Sequence, residues 1–155
     1  MQIPFSLSQT WANGAKYEGQ WENGVRNGKG LYLFTPRGTS SYEGDFVENK
    51  REGVGVYQWG SGDRYSGGFL NDQRHGKGVI EWASSRLDVC RFDEGKMVGE
   101  GVRWSADRTT AWRTLDGNVV GGEISVDEAQ QIEESLSAEP EATAPVAVEP
   151  PPKKK

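Results

Sequence analysis

One fourteen-residue pattern constrains this chain more than anything else in it. Tyr65-Ser66-Gly67-Gly68-Phe69-Leu70-Asn71-Asp72-Gln73-Arg74-His75-Gly76-Lys77-Gly78 reduces to Tyr-x-Gly-x-aromatic, a polar turn, then Arg-x-Gly-x-Gly. The same pattern starts at Tyr17 and Tyr42, so the starts lie 25 and then 23 residues apart, and a further 23 leads to a worn copy, Asp88 to Gly101. A period of this size means supersecondary units that cannot bury a core singly and must stack on their neighbours.

Within each unit the alternation is that of a strand. Tyr17, Gly19 and Trp21 share a face, as do Tyr42, Gly44 and Phe46. Asn23-Gly24 signals a two-residue hairpin turn of type I′, which needs positive φ at both central positions; Glu48-Asn49 and Asn71-Asp72 occupy the same place in later copies. On the returning strand Arg26, Gly28, Gly30, Tyr32 and Phe34 align, then Arg51, Gly53, Gly55, Tyr57 and Trp59, then Arg74, Gly76, Gly78, Ile80 and Trp82. Glycine inside a strand marks close approach by another group. The expected visitor is an aromatic ring from an adjacent strand, lying flat where no Cβ stands; glycines holding positive φ would contradict that account.

The connectors Thr35-Pro36-Arg37-Gly38-Thr39-Ser40-Ser41 and Gly60-Ser61-Gly62-Asp63 have turn composition. Thr10-Trp11-Ala12-Asn13-Gly14 reads as the end of a capping unit whose first strand is missing. In the fourth copy Asp88 replaces the Tyr, Cys90 the first Gly and Met97 the Arg. Trp104 follows Gly101 by three residues where Phe34, Trp59 and Trp82 follow their glycines by four. That slip turns Trp104 to the opposite face unless a bulge restores register. A faint fifth unit runs from Trp112 to Gly122.

Ser125-Val126-Asp127-Glu128 is a capping-box signature, and Ala129, Ile132 and Leu136 line one face of the helix behind it. The expected organisation is a repeat module over residues 1–124, a short amphipathic helix over 125–137 that caps one end of the sheet or docks on a partner, and a disordered Pro/Ala/Glu tail over 138–155 ending in lysines. The fold class is all-β: an antiparallel sheet of tandem hairpins with a short C-terminal helix.

Tyr-Glu-Gly-x-Trp/Phe-x-x-Gly-x-Arg-x-Gly-x-Gly resembles the MORN repeat (membrane occupation and recognition nexus). The resemblance covers residues 11–104 well and 105–124 poorly. It implies one elongated, twisted, groove-bearing single-layer sheet. Members without an appended domain are often cytoskeletal or ciliary scaffolds, and others attach to lipid kinases, methyltransferases or junctional membrane proteins.

His75 is the sole histidine, so no His-based triad or His-rich metal site is available. Cys90 is most simply a small buried residue, and one cysteine leaves no disulfide framework, which favours a reducing compartment. The Gly-x-Gly pairs lack a following Gly-Lys-Ser/Thr and helix, so they cradle no phosphate. Glu18 and Glu43 recur with the pattern and are expected to pair across strands. Met1-Gln2-Ile3-Pro4-Phe5 opens no charged and apolar leader pattern and no run is apolar enough for a membrane span, so no signal peptide and a cytoplasmic protein are expected. No enzymatic activity, cofactor or metal is expected.

The rings Tyr17, Trp21, Phe34, Tyr42, Phe46, Tyr57, Trp59, Tyr65, Phe69 and Trp82 pack between repeats, and some are expected to line a groove that grips a partner. Arg26, Arg51 and Arg74 join that groove as anchors for acidic segments; reversing Arg51 and Arg74 to Glu is expected to spare the fold and weaken partner binding. The expected function is a non-catalytic scaffold in a cytoskeletal assembly, a ciliary or flagellar axoneme, with protein partners that include another MORN protein or a second copy. Residues 1–124 hold 15 Lys and Arg against 16 Asp and Glu, and residues 125–155 hold 3 against 7. That balance argues against nucleic acid and places attachment to acidic lipids below scaffolding. A regulatory subunit of a separate enzyme is the remaining alternative.

Overall fold

Tandem hairpins joined by tight connectors lay every strand beside its neighbour in sequence. In a computed structural model, which describes residues 6–138, eleven strands form one antiparallel sheet in strict chain order. They are β1 (Leu7–Thr10), β2 (Lys16–Glu22), β3 (Val25–Leu33), β4 (Ser41–Val47), β5 (Lys50–Gln58), β6 (Arg64–Leu70), β7 (Gln73–Glu81), β8 (Leu87–Asp93), β9 (Lys96–Trp104), β10 (Ala111–Leu115) and β11 (Asn118–Ile124). One helix follows, α1 (Val126–Ala138). The expected tail beyond Ala138 lies outside the described residues.

The hairpin turns have the expected chemistry. Positive φ is found at both Asn23 and Gly24, at Glu48 and Asn49, at Asn71 and Asp72, at Glu94 and Gly95, and at Asp116 and Gly117. Trp11, Trp59 and Trp82 open the connectors: each backbone N–H donates to the carbonyl four residues on, Ala15, Asp63 and Arg86, which gives the capping unit the same geometry as the interior repeats.

Every complete hairpin breaks register once. Gly19 pairs with Gly30 but Trp21 pairs with Arg26, so β3 carries two residues more than β2 across the break; the same shift recurs in β4–β5 and β6–β7. The extra residues are accommodated by Gly28, Gly53 and Gly76 at φ 99°, 81° and 70°. The first glycine of Arg-x-Gly-x-Gly is therefore a left-handed hinge at a bulge. This corrects the expectation that a ring explains both glycines.

The second glycine behaves as expected. A Cβ on Gly30, Gly55 or Gly78 would collide with the ring of Tyr17, Tyr42 or Tyr65, which lies across it from the neighbouring strand. Each tyrosine hydroxyl then donates to the carbonyl at the register break: Gln20 at 2.9 Å, Asp45 at 2.9 Å and Gly68 at 2.8 Å. The three tyrosines are fully buried, although the sheet has only one layer.

Two cores result, one on each face. The front core joins Tyr17, Tyr42, Phe46, Tyr65, Phe69, Ile80, Cys90 and Phe92. The back core joins Val89, Val102 and Trp104 of the sheet to Ala111 and to Ala129, Ile132 and Leu136 of α1. No bulge restores Trp104, which pairs with Leu87 and Ala111 and points to the back as the slip in spacing required. Ser125 caps α1 by accepting from the Glu128 N–H at 3.1 Å, but the Glu128 carboxylate, instead of closing the capping box, accepts from Arg113. The helix covers the back of β8 to β10 and not an end of the sheet.

Gly55→Ala should destabilise the fold by about 2–3 kcal/mol, because Tyr42 cannot leave without losing its buried hydrogen bond. Glu48→Asn should stabilise it by about 0.5–1 kcal/mol, since Asn tolerates the left-handed region that Glu48 occupies. Urea unfolding of both variants measures each sign.

Candidate functional site

The rings on the front face form two rows with different environments. In the inner row each ring meets the next edge-on: Tyr17 with Phe46 at 5.2 Å, Phe46 with Tyr42 at 5.1 Å, Tyr42 with Phe69 at 4.9 Å, Phe69 with Tyr65 at 5.3 Å and Tyr65 with Phe92 at 5.1 Å. Such T-shaped pairs add about 0.5–1.5 kcal/mol each beyond area burial. All six are buried, so they build the sheet, and only the edge of Phe46 reaches a surface depression. Trp21 extends this row over Tyr17 and donates from its indole to the Leu7 carbonyl of β1.

The outer row runs along the same face in partial exposure. Trp11 lies against Tyr32, Tyr32 against Phe34, Phe34 against Tyr57 and Tyr57 against Trp59, with centroids 4.7–5.5 Å apart. Phe34 is 37% exposed. Trp82 closes the row in a different setting, its indole donating to Asp88 and its ring covered by Arg86. Of the expected groove residues, Phe34, Tyr57, Trp59 and Trp82 thus remain accessible, while Tyr17, Tyr42, Tyr65, Phe46 and Phe69 do not. Trp11 and Tyr32 belong to the row as well; the Tyr32 position in the alternation was the signal for it.

Between the rows sit the arginines. The Arg51 guanidinium lies over Tyr42, Tyr57 and Phe69 at 5.4–5.8 Å. It also reaches the next hairpin turn: Nη2 donates to the Asp72 carbonyl, and Nε and the Arg51 N–H both donate to Asp72 Oδ1. Arg26 repeats this against Asn49 under four rings, and Arg74 against Gly95 under Trp59, Tyr65 and Phe92. Each arginine therefore ties its own repeat to the turn of the next. This corrects the expectation that Glu reversals at Arg51 and Arg74 would spare the fold. Asn49 and Asp72, which sequence reasoning treated as turn residues alone, are the acceptors that make the tie specific.

A shallow depression opens between successive arginines, lined by Arg26, Tyr32, Phe34, Phe46, Asn49, Arg51 and Asp72. Its walls are aromatic, and its rim carries the two guanidinium groups together with the Asp72 carboxylate that Arg51 already engages. Glu18 contacts Lys16 on its own strand at 3.8 Å and not a residue across the sheet, so the expected cross-strand role does not hold for it.

The fourth hairpin replaces the tyrosine by chemistry of another kind. Asp88 is buried and accepts from Arg103 Nε at 2.7 Å, Arg103 Nη2 at 2.9 Å and the Trp82 indole at 2.9 Å. Cys90 is buried in the glycine position, and burial pushes its thiol up to about 12. Burial likewise raises Tyr42 and Tyr65. Among the described residues no group of three or more His, Cys, Asp or Glu is arranged to hold a metal, and no helix is long and apolar enough to cross a membrane.

The family model for the MORN repeat matches residues 17–39, 42–64, 65–85 and 91–110, more than half of the chain. The protein belongs to the MORN repeat family. It is similar to MORN repeat-containing protein 3 of Xenopus laevis, 47% identical over 45 residues that make up 29% of this chain and 18% of that protein. MORN repeats serve as modules of protein interaction or membrane association, and the family is generally non-catalytic.

Arg51→Gln should cost about 2–4 kcal/mol in urea unfolding, through lost ring contacts and an unpaired turn carbonyl. The buried groups also predict an alkaline dependence. Cys90, Tyr42 and Tyr65 have folded values above their unfolded values near 9 and 10, so their contribution is complete below pH 9 and declines as pH rises through the folded values. Unfolding free energy should be flat from pH 7 to about 9 and fall beyond it; a rise there would contradict the burial account.

Proposed function

We propose that this chain is a non-catalytic scaffold of a cytoskeletal assembly, a ciliary or flagellar axoneme, that grips protein partners along the outer aromatic row. The observation that carries the reading is the continuous half-exposed run from Trp11 to Trp59, with arginines already fixed between its rings. Rigid rings held in register lose little side-chain entropy on binding, which is what a hot spot requires. The near-neutral charge of residues 1–124 weighs against acidic-lipid attachment, because firm electrostatic binding needs clustered Lys and Arg. The axoneme assignment rests on the habits of related scaffolds rather than on any residue of this chain.

The test is the fate of a tagged chain in flagellated cells after detergent extraction, with mass spectrometry of what stays bound. Retention on the extracted axoneme supports the reading; release with prior enrichment on membranes puts lipid attachment in its place. Phe34→Ala combined with Tyr57→Ala should lower partner retention by about tenfold or more. The purified variant should still unfold cooperatively, which separates lost contacts from lost fold.

A further inference from the structure

The back face holds a second groove that neither core fills. It runs beside α1 over β7 and β8, with Val79, Leu87, Val89, Trp104 and Val126 as its apolar lining, Gln130 and Glu133 on its helix side with Glu133 engaged by the Trp104 indole, Lys77 at one end and Arg108 at the other. Its volume of about 450 Å³ far exceeds the roughly 30 Å³ that one water occupies. Apolar walls of this kind favour a side-chain-bearing occupant over solvent.

We propose that the occupant is the chain's own C-terminal segment, residues 139–149, folded back antiparallel to α1. The helix delivers it there. α1 starts where Arg113 meets Glu128 and ends where Lys77 contacts Ser137 and Arg91 donates to the Leu136 carbonyl, so the chain leaves Ala138 at the Lys77 end of the groove. Pro140 follows at once and cannot continue the helix. The thirteen residues of α1 span about 20 Å. Eight extended steps, the number from Glu141 to Glu149, span about 26 Å.

The chemistry matches along that length. Ala142-Thr143-Ala144-Pro145-Val146-Ala147-Val148 carries no charge and places small apolar side chains against the valine and leucine walls. Glu141 falls at Lys77, and Glu149 falls at Arg108. Among the described residues neither cation has a carboxylate within ion-pair distance: Lys77 contacts only the Ser137 hydroxyl, and Arg108 donates to the carbonyls of Ser85, Ser105 and Ala106. A segment too poor in large apolar residues to build a core needs only to cover one that is already framed.

A nitroxide tests this in the full chain. Thr143→Cys supplies the label site, since Cys90 is buried with its thiol pushed up to about 12 and stays unmodified. The expected result is selective broadening of the amide signals of Val79, Leu87 and Val126 and of the Trp104 indole, with β2 to β4 unaffected. Lys77→Glu with Arg108→Glu should reduce the broadening about fivefold, and adding Glu141→Lys with Glu149→Lys should restore it. Absent or uniform broadening overturns the proposal. So does broadening that persists when the label and the observed nuclei are on different molecules, which would assign the groove to a second copy.

Discussion

Everything in this sheet depends on a tyrosine ring lying across a pair of glycines. A single layer of strands has no second layer to bury its face, so the core must be made within the pleat itself. Gly19 opposite Gly30, Gly44 opposite Gly55 and Gly67 opposite Gly78 remove the Cβ atoms in the centre of each hairpin, and the ring from the same hairpin drops into that space. The hydroxyl then takes the carbonyl freed by the register break, so a polar group is buried with its partner supplied. Once the tyrosine is fixed, the aromatic residue four positions on packs against it edge-on, and the next repeat's aromatic packs on its other side.

Much of this was legible from spacing. Period-2 alternation gave the faces, turn dipeptides gave the hairpins, and the three-residue offset of Trp104 foretold its turn to the back. The register break was not legible, because two extra residues preserve side-chain parity and leave the alternation unchanged on both sides of Gly28, Gly53 and Gly76. Nor was the role of the arginines, since a repeated cation reads equally as an anchor for a partner or for the next repeat. Distances to Asn49, Asp72 and Gly95 decide it. For the candidate groove, the same pattern that marked ten rings could not separate the buried inner row from the accessible outer one, because both have strand parity.

The decay of the pattern toward the C-terminus is a change of architecture. Where tyrosine gives way to Asp88, the front face is held by an ion pair with Arg103, and the main apolar burial moves to the back around Trp104 and α1. The chain thus combines a front surface of half-exposed rings, suited to capture of other segments, with a back surface that its own helix covers in part. The first two matched repeats carry Tyr32, Phe34, Tyr57 and Trp59 of the outer row, while the last includes Trp104 of the back core.

A double-mutant cycle between Tyr42 and Gly55 tests the central claim most directly. Gly55→Ala is measured by urea unfolding in the native chain and again in a chain carrying Tyr42→Leu, whose shorter side chain leaves the space above the glycine open. If the ring is what forbids a Cβ, the two substitutions are coupled by about 2 kcal/mol or more, and Gly55→Ala is nearly neutral in the second background. Additivity within about 0.5 kcal/mol would mean that the glycine serves the backbone alone and that the sheet is organised by something else.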